Sequence, residues 1–265
     1  MDSEKTQILF AKTLVDDYES EEAWAAVSAL RRDGSREIFE HAAAWCRSDE
    51  PVKRARGAAI LCQLRRAQLP DIPPHNPEWM FRDESDELIT SMLQCEQNPA
   101  VLDSAITALG QLGNPKAIPT ILAYQDHPDQ DVRFAVALAL GCFPNDRESI
   151  RGLTKLTVDS SSAVRDWAVF GLGVQGDCDS PEIRDILLRC LNNVDEDVRE
   201  EAAVGLGKRR DRRLIPQLRA MLDHDVITIR VAEAATKLLE QDETPPEWTP
   251  EDYKAALNSK FNVQE

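Results

Sequence analysis

Val132-Arg133-Phe134-Ala135-Val136-Ala137-Leu138-Ala139-Leu140-Gly141 is the stretch on which the reading of this chain turns. Counting Val132 as zero, its core-type apolar residues fall at positions 0, 4, 5 and 8, the spacing of one face of an α-helix. Three further segments align with it without gaps: Val101–Gly110, Val164–Gly173 and Val198–Gly207. Their starting valines are 31, 32 and 34 residues apart, and weaker copies begin near Glu22, Lys53 and Ile229. A period of this length marks a stacked array, in which each unit buries its apolar face only against its neighbours.

Between the copies lie second amphipathic segments, at Ala117–Leu122, Ile150–Leu156, Ile183–Leu191 and Leu214–Leu222. Each unit therefore reads as helix, short polar turn, helix. Asp129, Asp159, Asp195 and Asp223 stand in the turns, where a carboxylate caps or abuts the following helix. Arg133, Arg165, Arg199 and Arg230 recur just inside that helix. Because this row keeps the phase of the core residues, it is expected to be a structural ladder bonded to turn carboxylates and carbonyls, not an anion site. The glycine at position 9 is expected to stop the helix, since glycine adopts a left-handed C-terminal residue at little cost.

The pattern Asp-turn-Val-Arg-x-x-Ala-x-x-x-Leu-Gly resembles HEAT repeats, specifically the phycobilin-lyase-like subtype common in bacteria. The resemblance covers residues 20–240, with Ala23 where an arginine is expected and the last unit out of phase by about one residue. It implies an all-α fold, an α-solenoid of about seven helix pairs, forming one domain over residues 1–265. Pro70, Pro73, Pro74 and Pro77 mark an inter-repeat insertion at 67–83, followed by Trp79, Met80 and Phe81. This insertion reads either as a binding element or as a plug folded back into a groove. Residues 245–265 form a capping helix and tail, opened by Thr249-Pro250-Glu251-Asp252, with Trp248 over the face of the last repeat.

Composition excludes several function classes. The chain is 42% hydrophobic and 29% charged, and its apolar runs are too short to span a bilayer. Met1-Asp2-Ser3-Glu4 lacks a signal-peptide pattern, which predicts a cytoplasmic protein. Six cysteines without a C-x-x-C pair are expected to be buried free thiols. The formal charge of −16 repels phosphate backbones and attracts basic partners. His41, His75, His127 and His224 form no metal-ligand spacing, so no metal, no cofactor and no enzymatic activity are expected. The run Lys208-Arg209-Arg210 with Arg212 and Arg213 is confined to one turn and reads as a solvated loop or as cations near a helix C-terminus.

The resemblance makes the Val-Arg helix the second of each pair, lining the concave face. If position 4 marks the core direction, positions 2 and 6 point outward. They hold Phe134, Leu138, Asp166, Phe170, Glu200 and Val204, with Trp167 beside Asp166. An apolar centre with an acidic rim is the anatomy of a protein-binding surface, so these residues are the candidate site for a basic protein or peptide. The competing arrangement wedges the rings between neighbouring helices. The chain is expected to be a monomeric interaction scaffold. The resemblance also leaves room for an accessory subunit of a phycobilin-lyase-like enzyme or an immunity-type inhibitor of a toxin.

Overall fold

The computed structural model describes residues 3–14, 20–65, 80–224, 226–241, 243–245 and 247–261, and these are helical throughout their regular parts, without a β-strand. Seven helix pairs follow one another: α1 (Ser3–Lys12) with α2 (Glu21–Asp33), α3 (Arg36–Trp45) with α4 (Pro51–Leu61), and α5 (Arg82–Leu93) with α6 (Pro99–Leu112). Then come α7 (Ile118–Leu122) with α8 (Gln130–Gly141), α9 (Arg147–Leu156) with α10 (Ser162–Phe170), α11 (Pro181–Cys190) with α12 (Glu196–Lys208), and α13 (Ile215–Met221) with α14 (Ile229–Leu238). A last helix, α15 (Pro250–Phe261), closes the series. The fold is an α-solenoid. By packing, the chain divides into two compact units, Met1–Cys142 and Phe143–Glu265.

In the first unit α2, α4, α6 and α8 pack each on the next; in the second, α10, α12 and α14 do the same. The helical phase read from the sequence is the phase of the core. Val101, Val132, Val164 and Val198 at position 0 are fully buried, as are Ala105, Val136, Ala168 and Ala202 at position 4. Leu109, Leu140, Leu172 and Leu206 at position 8 are buried with them. In α14 the set Ala234, Ala235 and Leu238 is buried while Ile229 is exposed, which is the one-residue phase shift expected of a terminal repeat.

The glycines at position 9 are not helix stops. Positive backbone φ occurs among the described glycines at Gly34 and Gly113, not at Gly110, Gly141, Gly173 or Gly207. Gly110 lies inside α6, where an added Cβ would sit 2.6 Å from the Ala139 Cα of α8. Gly207 lies inside α12, where the same atom would sit 2.5 Å from the Ala234 carbonyl oxygen of α14. Gly205 and Gly173 face each other in the same way. These residues are small because neighbouring backbones touch there.

The arginine row is a ladder, and it is built largely from main-chain carbonyls. Arg165 Nη1 donates to the Asp159 and Ser160 carbonyls at 2.6 and 3.1 Å. Arg133 holds the His127 and Pro128 carbonyls, Arg199 those of Asn193 and Val194, and Arg54 those of Ser48 and Asp49. Each arginine thus ties down the turn five and six residues before it. Arg54 and Arg165 reach further, to Glu96 and Asp195 of the following repeats. Arg165→Ala is expected to lower stability by about 1–3 kcal/mol, because its charged hydrogen bonds to the turn carbonyls are lost. A thermal melt measures this; an unchanged Tm would refute the ladder.

Phe81, at the described end of the insertion, packs its ring 4.8 Å from Phe39, with the Arg36 guanidinium over both rings. Phe81 thus packs within the first unit, whereas Trp79 lies outside the described residues. At the other end Trp248 packs edge-on against the buried Tyr253 of α15, and Thr249 and Asp252 cap that helix reciprocally. Lys260 donates to the Leu239 carbonyl at 2.5 Å, tying α15 to the end of α14. All six cysteines are free thiols, but only Cys46, Cys62 and Cys190 are buried; Cys95 and Cys142 are exposed and Cys178 is half-buried, against the expectation.

Candidate functional site

The successive helices α10, α12 and α14 bring a group of carboxylates together. Asp166 on α10 is half-buried, and its Oδ1 is buried without a hydrogen-bond partner. Trp167 follows it, with its ring 5.4 Å from that of Phe170 in an edge-on arrangement. On α12, Asp197 is exposed, while Glu200 and Glu201 are 4% and 5% exposed. Arg230 of α14 reaches back to them: Nη1 is 2.7 Å from Asp197, Nε 2.7 Å from Glu201, and Nη1 4.0 Å from Glu200.

One guanidinium does not neutralise this group. Burial raises the Asp166 and Glu200 pKa values above the ordinary carboxylate range, with repulsion from neighbouring carboxylates adding to it. Burial also pushes Glu201 from the ordinary 4.5 up to about 7, against the opposing pull of Arg230. Proton binding at Glu201 therefore favours the folded state. Its contribution is present at acidic pH and is lost as pH rises from the ordinary value through the folded one. Glu201→Gln is expected to stabilise the protein by about 1–2 kcal/mol above neutrality, and much less near the ordinary carboxylate range. Melting curves of both proteins across that range test it; a gap that widens towards acid would contradict the assignment.

The residues that the helical phase grouped belong to both units. Asp166, Trp167 and Phe170 share α10 and are half-buried, and Phe134 and Leu138 are half-buried on α8 of the first unit. Val204 is 2% exposed and Glu200 is 4% exposed, so neither stands on an open outward face. The reason is geometric: α12 is flanked by α10 on one side and α14 on the other, which covers positions that a lone helix would leave outside. For Val204 the wedged arrangement holds.

The basic turn is structural as well. Arg209 is buried, and its guanidinium donates to the carbonyls of Leu172, Gly173, Gly176, Cys178 and Gly205 at 2.7–3.2 Å. Lys208 bonds the Val174 and Gly176 carbonyls and Asp177, and Arg213 pairs with Asp211 and Asp185. Lys208 and Arg209 are cations at the C-terminus of α12, whereas Arg210, Arg212 and Arg213 are exposed. What the sequence reading missed is a set of exposed aliphatic side chains: Val158, Val194 and Val226, in the turns preceding α10, α12 and α14, and Ile229 at the start of α14, each more than 80% exposed. The available signal was an aliphatic residue standing alone among turn residues, as in Asn192-Asn193-Val194-Asp195.

The family model for HEAT repeats matches residues 85–173 and 150–239, more than half of the chain. The chain belongs to the HEAT-repeat family. It is 26% identical over 231 residues to Protein YibA of Escherichia coli strain K12, covering 85% of this chain and 78% of that protein. The X-ray structure of Escherichia coli YibA superposes with a TM-score of 0.69 at 24% identity, covering 97% of this chain and 92% of that one. The complex of CpcE and CpcF of phycocyanin lyase from Nostoc sp. PCC7120 matches at a TM-score of 0.50 and 16% identity, covering 96% and 94%. The HEAT fold and the phycobilin-lyase likeness read from the repeat are thus both present. No described helix is long and apolar enough to cross a membrane. Among the described residues no group of His, Cys, Asp and Glu side chains is arranged to hold a metal ion.

Proposed function

We propose that this HEAT-repeat protein is a non-enzymatic interaction scaffold that takes a basic segment of a partner protein on the face formed by α10, α12 and α14. The observation that carries this reading is the crowding of Asp166, Asp197, Glu200 and Glu201 around the single guanidinium of Arg230. A further cation brought by a partner relieves the carboxylate repulsion, and Trp167 and Phe170 beside Asp166 supply apolar and aromatic contact. The net charge of −16 steers such a partner towards the protein at low salt. The fold likeness to a lyase built as a complex of two proteins agrees with a role exercised through association.

The test is fluorescence anisotropy with matched basic and acidic amphipathic peptides. The basic peptide is expected to bind, more weakly as salt rises, and Asp197→Lys and Asp166→Lys are expected to slow its association. Equal affinity for both peptides, or binding indifferent to salt and to these substitutions, would overturn the proposal. Phe170→Ala in the same assay is expected to cost ~2 kcal/mol of affinity, as loss of an aromatic anchor does.

A further inference from the structure

Inside the second unit a cleft of about 390 Å³ opens between the α11–α12 pair and the α13–α14 pair. Its walls are apolar: Leu191 on one side, Met221 on the other, with Ile227 and Val231. Two carboxylates complete it. Glu196 is exposed, whereas Glu200 is almost fully buried, hydrogen-bonded to Thr228 and 4.0 Å from Arg230, whose closer partners are Asp197 and Glu201. Arg199 also lines the cleft, but its Nη1 is held by the Asn193 and Val194 carbonyls. His224, the remaining titratable group in the lining, is exposed.

A cleft lined by apolar side chains and a buried carboxylate suits a side chain with a hydrocarbon stem and a cationic head. Val226 is part of the lining and is 85% exposed, and the exposed Val194 and Ile229 lie within two residues of the lining residues Glu196 and Thr228. A free diamine has no use for these aliphatic groups; a polypeptide flanking its basic residue with apolar ones does. We propose that this cleft is a socket for one lysine or arginine side chain of a partner protein, with Glu200 as its counter-charge and Val226 as the apolar contact for the neighbouring residue. The inference rests on the basic-partner reading above and adds where its anchoring cation goes.

The probe is a fluorescein-labelled peptide of alternating leucine and lysine, followed by anisotropy, with free cadaverine as competitor. Glu200→Gln removes the counter-charge, and Ala220→Trp fills the cleft from an exposed position of its lining. Each is expected to weaken peptide binding about tenfold or more, with cadaverine a poor competitor. Melting curves run alongside; should Glu200→Gln fail to fold, Ala220→Trp alone decides. Unchanged affinity in Ala220→Trp together with loss in Asp166→Lys and Asp197→Lys overturns the socket and leaves the acidic face standing. Cadaverine competing as well as the peptide also overturns it, as a small-cation site. No peptide binding to the unsubstituted protein sinks both.

Discussion

Arg209→Met is expected to cost about 3–5 kcal/mol of stability, since it takes the cationic donor from the buried Leu172, Gly173 and Gly205 carbonyls and from that of Cys178 while keeping most of the side-chain volume. The demand for that donor arises one repeat earlier. After α10 the chain makes a single π-turn over Gly171–Gln175, in which the Gly176 N–H bonds the Gly171 carbonyl at 3.0 Å. The wide turn ends abruptly, and the Leu172 and Gly173 carbonyls are left without a following helical N–H. Arg209, projecting from the end of α12, takes both. Arg209→Lys, with a single point donor in place of the fork, is expected to fall between the two proteins. Thermal or urea unfolding measures the series, and a variant as stable as the parent would show that solvent satisfies these carbonyls.

Gly207→Ala is expected to destabilise by about 3 kcal/mol, although the same change in an exposed helix interior stabilises by about 1 kcal/mol. The sign reverses because the new methyl group would lie 2.5 Å from the Ala234 carbonyl oxygen, so α12 and α14 must separate along their contact. Nothing flexible stands at that point, and the displaced atoms are backbone. A Tm above that of the parent would mean that the two helices do not meet there.

The array was legible in the sequence because its signal is repeated: valine at position 0, alanine or valine at position 4 and leucine at position 8 of Val101–Leu109, Val132–Leu140, Val164–Leu172 and Val198–Leu206 all end in the core. What failed had one cause in common, the neighbour helix. A glycine near a helix end fits a stop and a backbone contact equally well, and only Ala139 and Ala234 on the next helices distinguish them. Val204 faces outward on a helical wheel, yet flanking helices cover it. Arg209 has the composition of a solvated turn, while most of its partners lie more than thirty residues away. The acidic residues Asp166 and Glu200 were found by phase; Arg230, which gathers them, had been read only as a member of the arginine row.

The Nη1 clamp of Arg54, Arg133, Arg165 and Arg199 holds carbonyls of its own repeat, five and six residues upstream. A segment of some thirty residues therefore carries the instructions for its own corner wherever it is spliced. Duplication or loss of such a segment preserves the corner without compensating changes elsewhere, and only the seams with adjoining copies must be fitted anew. The chain can change length by whole modules, and its capacity to acquire new recognition surfaces is inherited with the arginine that folds each module's bend.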